Sequence, residues 1–405
     1  MGEDADDQAR AAKVRVHSAY PEDVLGHGMR TADDEFMAQA IAAASTARLR
    51  TPPNPWVGCV LVRDGDVIGM GATQPPGGRH AEADALADAA NRGADPSGAT
   101  AYVTLEPCSH HGRTAPCADA LIAAGVIRVV FALEDPDPNV AGQGHDRLRA
   151  AGVEVVVGTG QREAGRQLAP YLHHRRTGLA FALVKTAMSL DGRTCAADGT
   201  SKWITGAEAR ADGHRIRAES QAVVVGPATA RQDRPSLTVR DAETAPEGQP
   251  LRVLLDARGA VPVDGPLFDQ TLAHTLVFTT AAAPVAARNA WAAAAVEAVE
   301  VDAGPDGRGV DLTAVLHTLG TDRHVLQAMF EGGGKLHGAL IAEGLAGRIV
   351  TYVAPVILGE RGRAVIAYPG ADTLADAPRW QMSDVTPVGE DVRITYDRML
   401  VEAND

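Results

Sequence analysis

Aromatic side chains are scarce in these 405 residues, at 4% of the chain, and there are only four cysteines, Cys59, Cys108, Cys117 and Cys195. Four thiols with no obvious pairing exclude a disulfide-held secreted scaffold and point to a reducing cytoplasm. Excess positive charge is missing too. The 38 Lys and Arg face 52 Asp and Glu, for a net charge of −14, which excludes a general nucleic-acid binder because phosphate neutralisation needs clustered cations. No apolar run approaches the roughly 18 residues of a membrane span. The acidic, polar residues 1–10 lack the basic flank and apolar core of a secretory signal. Nowhere does Gly-x-Gly-x-x-Gly follow a strand pattern, so the usual dinucleotide fingerprint is absent.

What is present is a globular composition, 45% hydrophobic and 22% charged, in a chain long enough for two to three domains. Its chemistry concentrates between residues 80 and 117. His80-Ala81-Glu82 precedes Pro107-Cys108, and Cys117 follows after eight intervening residues. One imidazole and two thiolates can hold zinc and leave a fourth tetrahedral position to water. Zinc lowers the pKa of such a water from about 15.7 to roughly 7. A carboxylate beside the metal, Glu82, then suits proton transfer to a departing amine, as in the His-x-Glu and Pro-Cys-x-x-Cys pattern of zinc deaminases. The alternatives are core thiols, or a closed structural zinc with His110 or His111 as fourth ligand. A closed site has no use for a carboxylate fixed next to its His ligand.

The run Ala101-Tyr102-Val103-Thr104-Leu105-Glu106-Pro107-Cys108-Ser109-His110-His111-Gly112-Arg113-Thr114 resembles the deaminase half of the bifunctional riboflavin-biosynthesis deaminase-reductases, where the longer cysteine spacing is usual. The resemblance implies one zinc per chain on His80, Cys108 and Cys117, with Glu82 as proton carrier and Asn54 against the substrate base. It also implies a fold: an N-terminal cytidine-deaminase-like αβα domain followed by a dihydrofolate-reductase-like α/β domain.

Read in order, residues 1–30 form a flexible extension, with Met29 a second plausible start, and residues 31–170 form the deaminase domain. Phe36, Met37, Ala40, Ile41 and Ala44 lie at helical spacing behind Asp33 or Asp34 as N-cap. An Asp64-Gly65 turn joins two strands of a hairpin. A helix opens at His80, and strands over 101–105, 126–133 and 153–157 alternate with helices. Residues 135–144 read as a turn-rich loop. Residues 171–179 read as a linker, with His173 and His174 solvated.

Residues 180–405 then read as the second domain. Gly332-Gly333-Gly334, after a strand ending near Phe330, can bring backbone amides close to a phosphate at a helix start. The family resemblance resumes here. It implies NADPH held by Ala187, Trp203, Thr229, Asp233, Gly333 and Gly334, with Asp233 also catalytic. It places the substrate on Ser201, Arg217, Leu237, Arg240 and Glu331, with Arg217 and Arg240 suited to a ribose phosphate. A homodimer formed through the reductase domain is likewise implied.

Three positions depart from the family pattern: Thr73 replaces a usual His, Arg79 a frequent Pro, and Arg234 an acidic or amide residue. The expected activity is hydrolytic deamination of a ribosylated diaminopyrimidine phosphate, followed by NADPH-dependent reduction of the ribose to a ribityl chain. Two other readings are the same chemistry on a related pyrimidine in secondary metabolism, and a non-catalytic zinc-stapled scaffold.

Overall fold

Alternation builds the first sheet. Along β1 (Gly58–Arg63), Cys59 and Leu61 pack on one face while Val60 and Val62 pack on the other, and Ala101/Val103 against Tyr102 repeat the split in β3 (Thr100–Val103). In this computed structural model, which describes residues 31–109, 116–137, 141–240 and 248–399, the strand order is β2-β1-β3-β4-β5. β2 is Asp66–Ala72, β4 Arg128–Phe131 and β5 Glu154–Val157. β1 runs antiparallel to both neighbours, while β3, β4 and β5 are parallel. Asp64 and Gly65 both take positive φ, 55° and 87°, the conformation that a tight hairpin turn demands.

Helices α1 (Ala32–Ser45) and α5 (Gln161–Thr177) cover one face of this sheet, through residues such as Met37, Ala40 and Ala164. α2 (Ala81–Asn91), α3 (Cys117–Ala123) and α4 (Gln143–Ala150) cover the other. The N-cap of α1 is Thr31, not Asp33 or Asp34. The Thr31 hydroxyl accepts from Asp34 N at 3.2 Å while the Asp34 carboxylate accepts from Thr31 N at 2.9 Å, a capping box. Asp33 turns away to accept from the Arg128 guanidinium and the Tyr102 hydroxyl.

The segment expected to be a linker is helix. Residues 171–177 are the last turns of α5, with Tyr171 and Leu172 buried, and the helix ends at Gly178 with φ 73° before running into the next strand. His173 packs edge-on against Phe181, and His174 Nε2 lies 3.1 Å from the Gly320 carbonyl. These two histidines are therefore packing residues and not solvated ones.

The second sheet has nine strands in the order β10-β9-β8-β7-β11-β6-β12-β14-β13. β6 (Phe181–Ser189), β7 (Ala222–Val225), β8 (Leu251–Leu255), β9 (Thr275–Thr279), β10 (Glu297–Glu300), β11 (Gln327–Phe330) and β12 (Ala346–Ala354) are mutually parallel. The antiparallel hairpin of β13 (Trp380–Val388) and β14 (Asp391–Arg398) closes one edge. Near-continuous apolar strands such as Ala222-Val223-Val224-Val225, buried on both faces, are what a helix-covered parallel sheet requires. Neighbouring β7 and β11 each run into glycine and then a helix, α7 (Pro227–Asp233) and α10 (Gly334–Ala342). Among the described residues, no helix is long and apolar enough to cross a membrane.

Candidate active sites

His80 is the N-cap of α2, yet its side chain makes no capping bond, so the imidazole is free to face the two thiols. Cys108 lies beyond the end of β3, and Cys117 is the first residue of α3. Strand end and helix start converge there: His80 Nδ1 is 3.5 Å from Cys108 Sγ and 3.3 Å from Cys117 Sγ, and Cys117 N donates to Cys108 Sγ at 3.5 Å. The Cys117 side chain, the His80 ring and that helix-start amide outweigh burial and draw the Cys108 pKa down to about 4. Burdened by its bond to Cys108 and by burial, the Cys117 thiol goes up instead.

The nitrogen and both sulfurs lie within 4.8 Å of one another, and an imidazole with two thiolates is a zinc donor set. The residues fit the metal. The cluster opens onto a cavity of about 200 Å³ lined by Asn54, Thr73, Glu82 and Asp135, among others. Glu82, two residues past His80 in the first turn of α2, is 3% exposed. Burial first, and the charge of Cys108 second, push its pKa up to about 7. The closed-site alternative through His110 or His111 lies outside the described residues, as do the extension 1–30 and residues 138–140 of the turn-rich loop.

Thr73 is buried with its hydroxyl accepting from Val57 N at 3.0 Å, so the position usually held by His presents no titrating group to the cavity. Arg79 is exposed, and Arg234 pairs with Asp264 at 2.8 Å. The residue missed from the sequence is Glu106. It is buried, and its carboxylate accepts from the amides of Gly142, Gly144 and His145 at 3.0 to 3.2 Å and from Asp135 N at 3.4 Å. It ties the loop after β4 to the strand end that carries Cys108. A Cβ at Gly144 would sit 1.9 Å from the Pro107 carbonyl, so this docking needs glycine. A glutamate inside the metal motif, with no basic partner in sequence, was the available signal.

In the second domain, Gly333 caps α10 and Gly334 begins it. A Cβ on Gly333 would be 3.9 Å from Thr229 Oγ1, and one on Gly334 would be 2.8 Å from the Ala364 carbonyl. Thr229 and both glycines thus share one wall. Asp233, the last residue of α7, is exposed. Its pKa is raised by desolvation against the pull of Lys202 and Arg363. Trp203 is 69% exposed, with the Arg210 guanidinium 4.6 Å from its ring. Ala187 lies in the C-terminal half of β6. The Leu237 side chain is buried in an apolar cluster with Val223 and Phe268.

Arg217 and Arg240 do not form the free phosphate fork expected of them. Arg217 binds Glu331 through two hydrogen bonds and donates to the Thr238 carbonyl at 2.5 Å. Arg240 is exposed and donates to Ser236 Oγ at 2.6 Å.

Fold and site together define a zinc-dependent hydrolytic deaminase joined to a reductase. Residues 180–394 match the family model of the RibD C-terminal domain, and residues 30–133 that of the cytidine and deoxycytidylate deaminase zinc-binding region. The riboflavin biosynthesis protein RibD of Escherichia coli is 40% identical over 89% of this chain and 98% of its own length. That of Chlamydia trachomatis is 40% identical over 91% and 96%. Among solved structures, an Acinetobacter baumannii RibD superposes with a TM-score of 0.75 at 36% identity, covering 91% of this chain and 99% of that one. A Thermotoga maritima diaminohydroxyphosphoribosylaminopyrimidine deaminase/5-amino-6-(5-phosphoribosylamino)uracil reductase does so at 0.77 and 30%, with the same coverage. The chain belongs to the RibD family of bifunctional riboflavin-biosynthesis enzymes. Its N-terminal domain is a zinc-binding deaminase and its C-terminal domain an NADPH-dependent reductase.

Proposed function

We propose that the substrate is 2,5-diamino-6-(5-phosphoribosylamino)pyrimidin-4(3H)-one, deaminated over residues 31–170 and then reduced over residues 180–405, with α5 as the rigid join. The observation that carries this is the His80, Cys108 and Cys117 cluster opening onto a cavity in which a buried carboxylate, Glu82, stands beside the metal ligands.

Bound zinc supplies a water acidified to near neutral pH. Glu82, kept from bulk water, takes a proton from the nucleophile side and returns one to the departing amine. Asn54, half-buried on the cavity wall, offers amide donors and acceptors to the edge of the pyrimidine. In the second domain, Gly333 and Gly334 offer backbone amides to the NADPH phosphates at the start of α10, with Thr229 alongside. Ala187, Trp203 and Asp233 border the nicotinamide. Ser201, Arg240 and the Glu331 carboxylate, fixed by Arg217, hold the pyrimidine substrate, with Arg240 as the cation for its phosphate, and Leu237 contributes only by shaping the wall.

Exposed Met382, Val385 and Val392 on the β13–β14 hairpin support a homodimer through the reductase domain, and four free thiols support a cytoplasmic location. The test supplies purified protein with the substrate and NADPH, following ammonia and NADPH separately. Ammonia release preceding and independent of NADPH oxidation is the expected result. Release of neither would refute the assignment.

A further inference from the structure

The deaminase cavity is lined by four carboxylates, Glu82, Glu106, Asp135 and Asp137. Among the described lining residues, one side chain other than the ligand His80 is basic, and it comes from the far end of α5. That side chain is Arg175. Its guanidinium sits 5.0 Å above the Tyr171 ring, and its Nε is 3.8 Å from Asp137 Oδ2, beyond hydrogen-bond distance. This Nε is buried with no hydrogen-bond partner. The neighbouring acids are otherwise engaged: Glu106 accepts four backbone amides, and Asp135 accepts from the Tyr171 hydroxyl at 3.1 Å.

A phosphate monoester brings a charge of about −1.5 to −2 at neutral pH. It cannot settle in an acid-lined cavity without a cation to meet it. We infer that Arg175 is a specificity-determining residue for deamination, holding the phosphate end of the substrate at the cavity wall, an inference that rests on the substrate class proposed above. Guanidinium suits the task because two parallel N–H bonds match two phosphate oxygens. The loose pairing with Asp137 and the position of the guanidinium over the Tyr171 ring keep the side chain oriented without saturating its donors.

The test uses the full-length, zinc-loaded protein and two substrates, the diaminopyrimidinone ribosylamine phosphate and the same compound after phosphatase treatment. Arg175→Met keeps an unbranched apolar side chain and removes the charged guanidinium. Its KM for the phosphorylated substrate is expected to rise roughly 10-fold or more, the size of a lost charged hydrogen bond, with kcat little changed. Its KM for the dephosphorylated compound should stay at the wild-type value, so preference for phosphate collapses. Arg175→Lys should recover part of that preference. An unchanged KM for the phosphorylated substrate, or an equal loss on both compounds, would show that Arg175 only packs the α5 end and overturn the inference. A zinc-loaded wild type that deaminates neither compound would instead overturn the functional reading itself, and this inference with it.

Discussion

Arg217 and Glu331 face each other in a two-bond fork, Nε to Oε1 at 2.8 Å and Nη2 to Oε2 at 2.7 Å, with both side chains less than 15% exposed. The fork sits where β11 ends and α6 (Ala207–Ala218) packs beside it. Arg217 is thereby the residue that holds Glu331 in its charged form.

Burial opposes ionisation of Glu331, but the Arg217 charge and hydrogen bonds, with Lys185 nearby, outweigh it and keep its pKa below the ordinary value of 4.5. A depressed carboxylate pKa gives stability that is complete above pH 4.5 and is lost as pH falls through the lower folded value. Arg217→Ala strands a buried charge and is expected to cost roughly 3–5 kcal/mol. Denaturant melts should show that cost at pH 7 and a smaller one in strong acid, where Glu331 is protonated; an acid-independent difference would refute the pairing.

Replacing Glu82 with Gln keeps its size and removes the titrating proton. Ammonia release should fall by roughly 10² or more, with zinc retained and reduction of already deaminated substrate intact. Near-normal deamination by this variant would remove Glu82 from the chemistry.

Metal content is expected at one zinc per chain by elemental analysis, and chelation should abolish ammonia release while sparing NADPH oxidation on already deaminated substrate. Glu106→Gln weakens the anchor that fixes the strand end carrying Cys108, so zinc should exchange with a chelating dye several-fold faster than in the wild type. Equal exchange rates would show that the loop after β4 does not brace the ligand.

Steady-state reductase kinetics separate Arg240 from Asp233. Arg240→Ala removes contacts made alike in ground and transition states, so KM for the pyrimidine should rise more than kcat falls. Asp233→Asn should lower kcat with the fold intact. If Arg240→Ala weakens NADPH instead, the two roles are misplaced.

Much of this was legible from the chain alone because the signals are local. Ligand type and spacing at His80, Cys108 and Cys117 define a metal chemistry. Asp64-Gly65 fixes a turn by its own backbone preferences, and the continuous apolar runs around Val60 and Val224 give strands buried on both faces. The N-cap of α1 went to Thr31 because the reciprocal bonds with Asp34 need a hydroxyl one turn back, while long-range pairing with Arg128 took Asp33. Tertiary structure alone decided that residues 171–177 stay helical, since their burial rests on Phe181 and Gly320, contacts that sequence spacing does not encode. It likewise decided that Arg217 belongs to Glu331, 114 residues away, that Glu106 finds its partners in a later loop, and that Arg175 enters the deaminase cavity. A charged side chain carries its chemistry in the sequence, but which opposite charge, amide or cavity it meets is fixed only when distant segments pack.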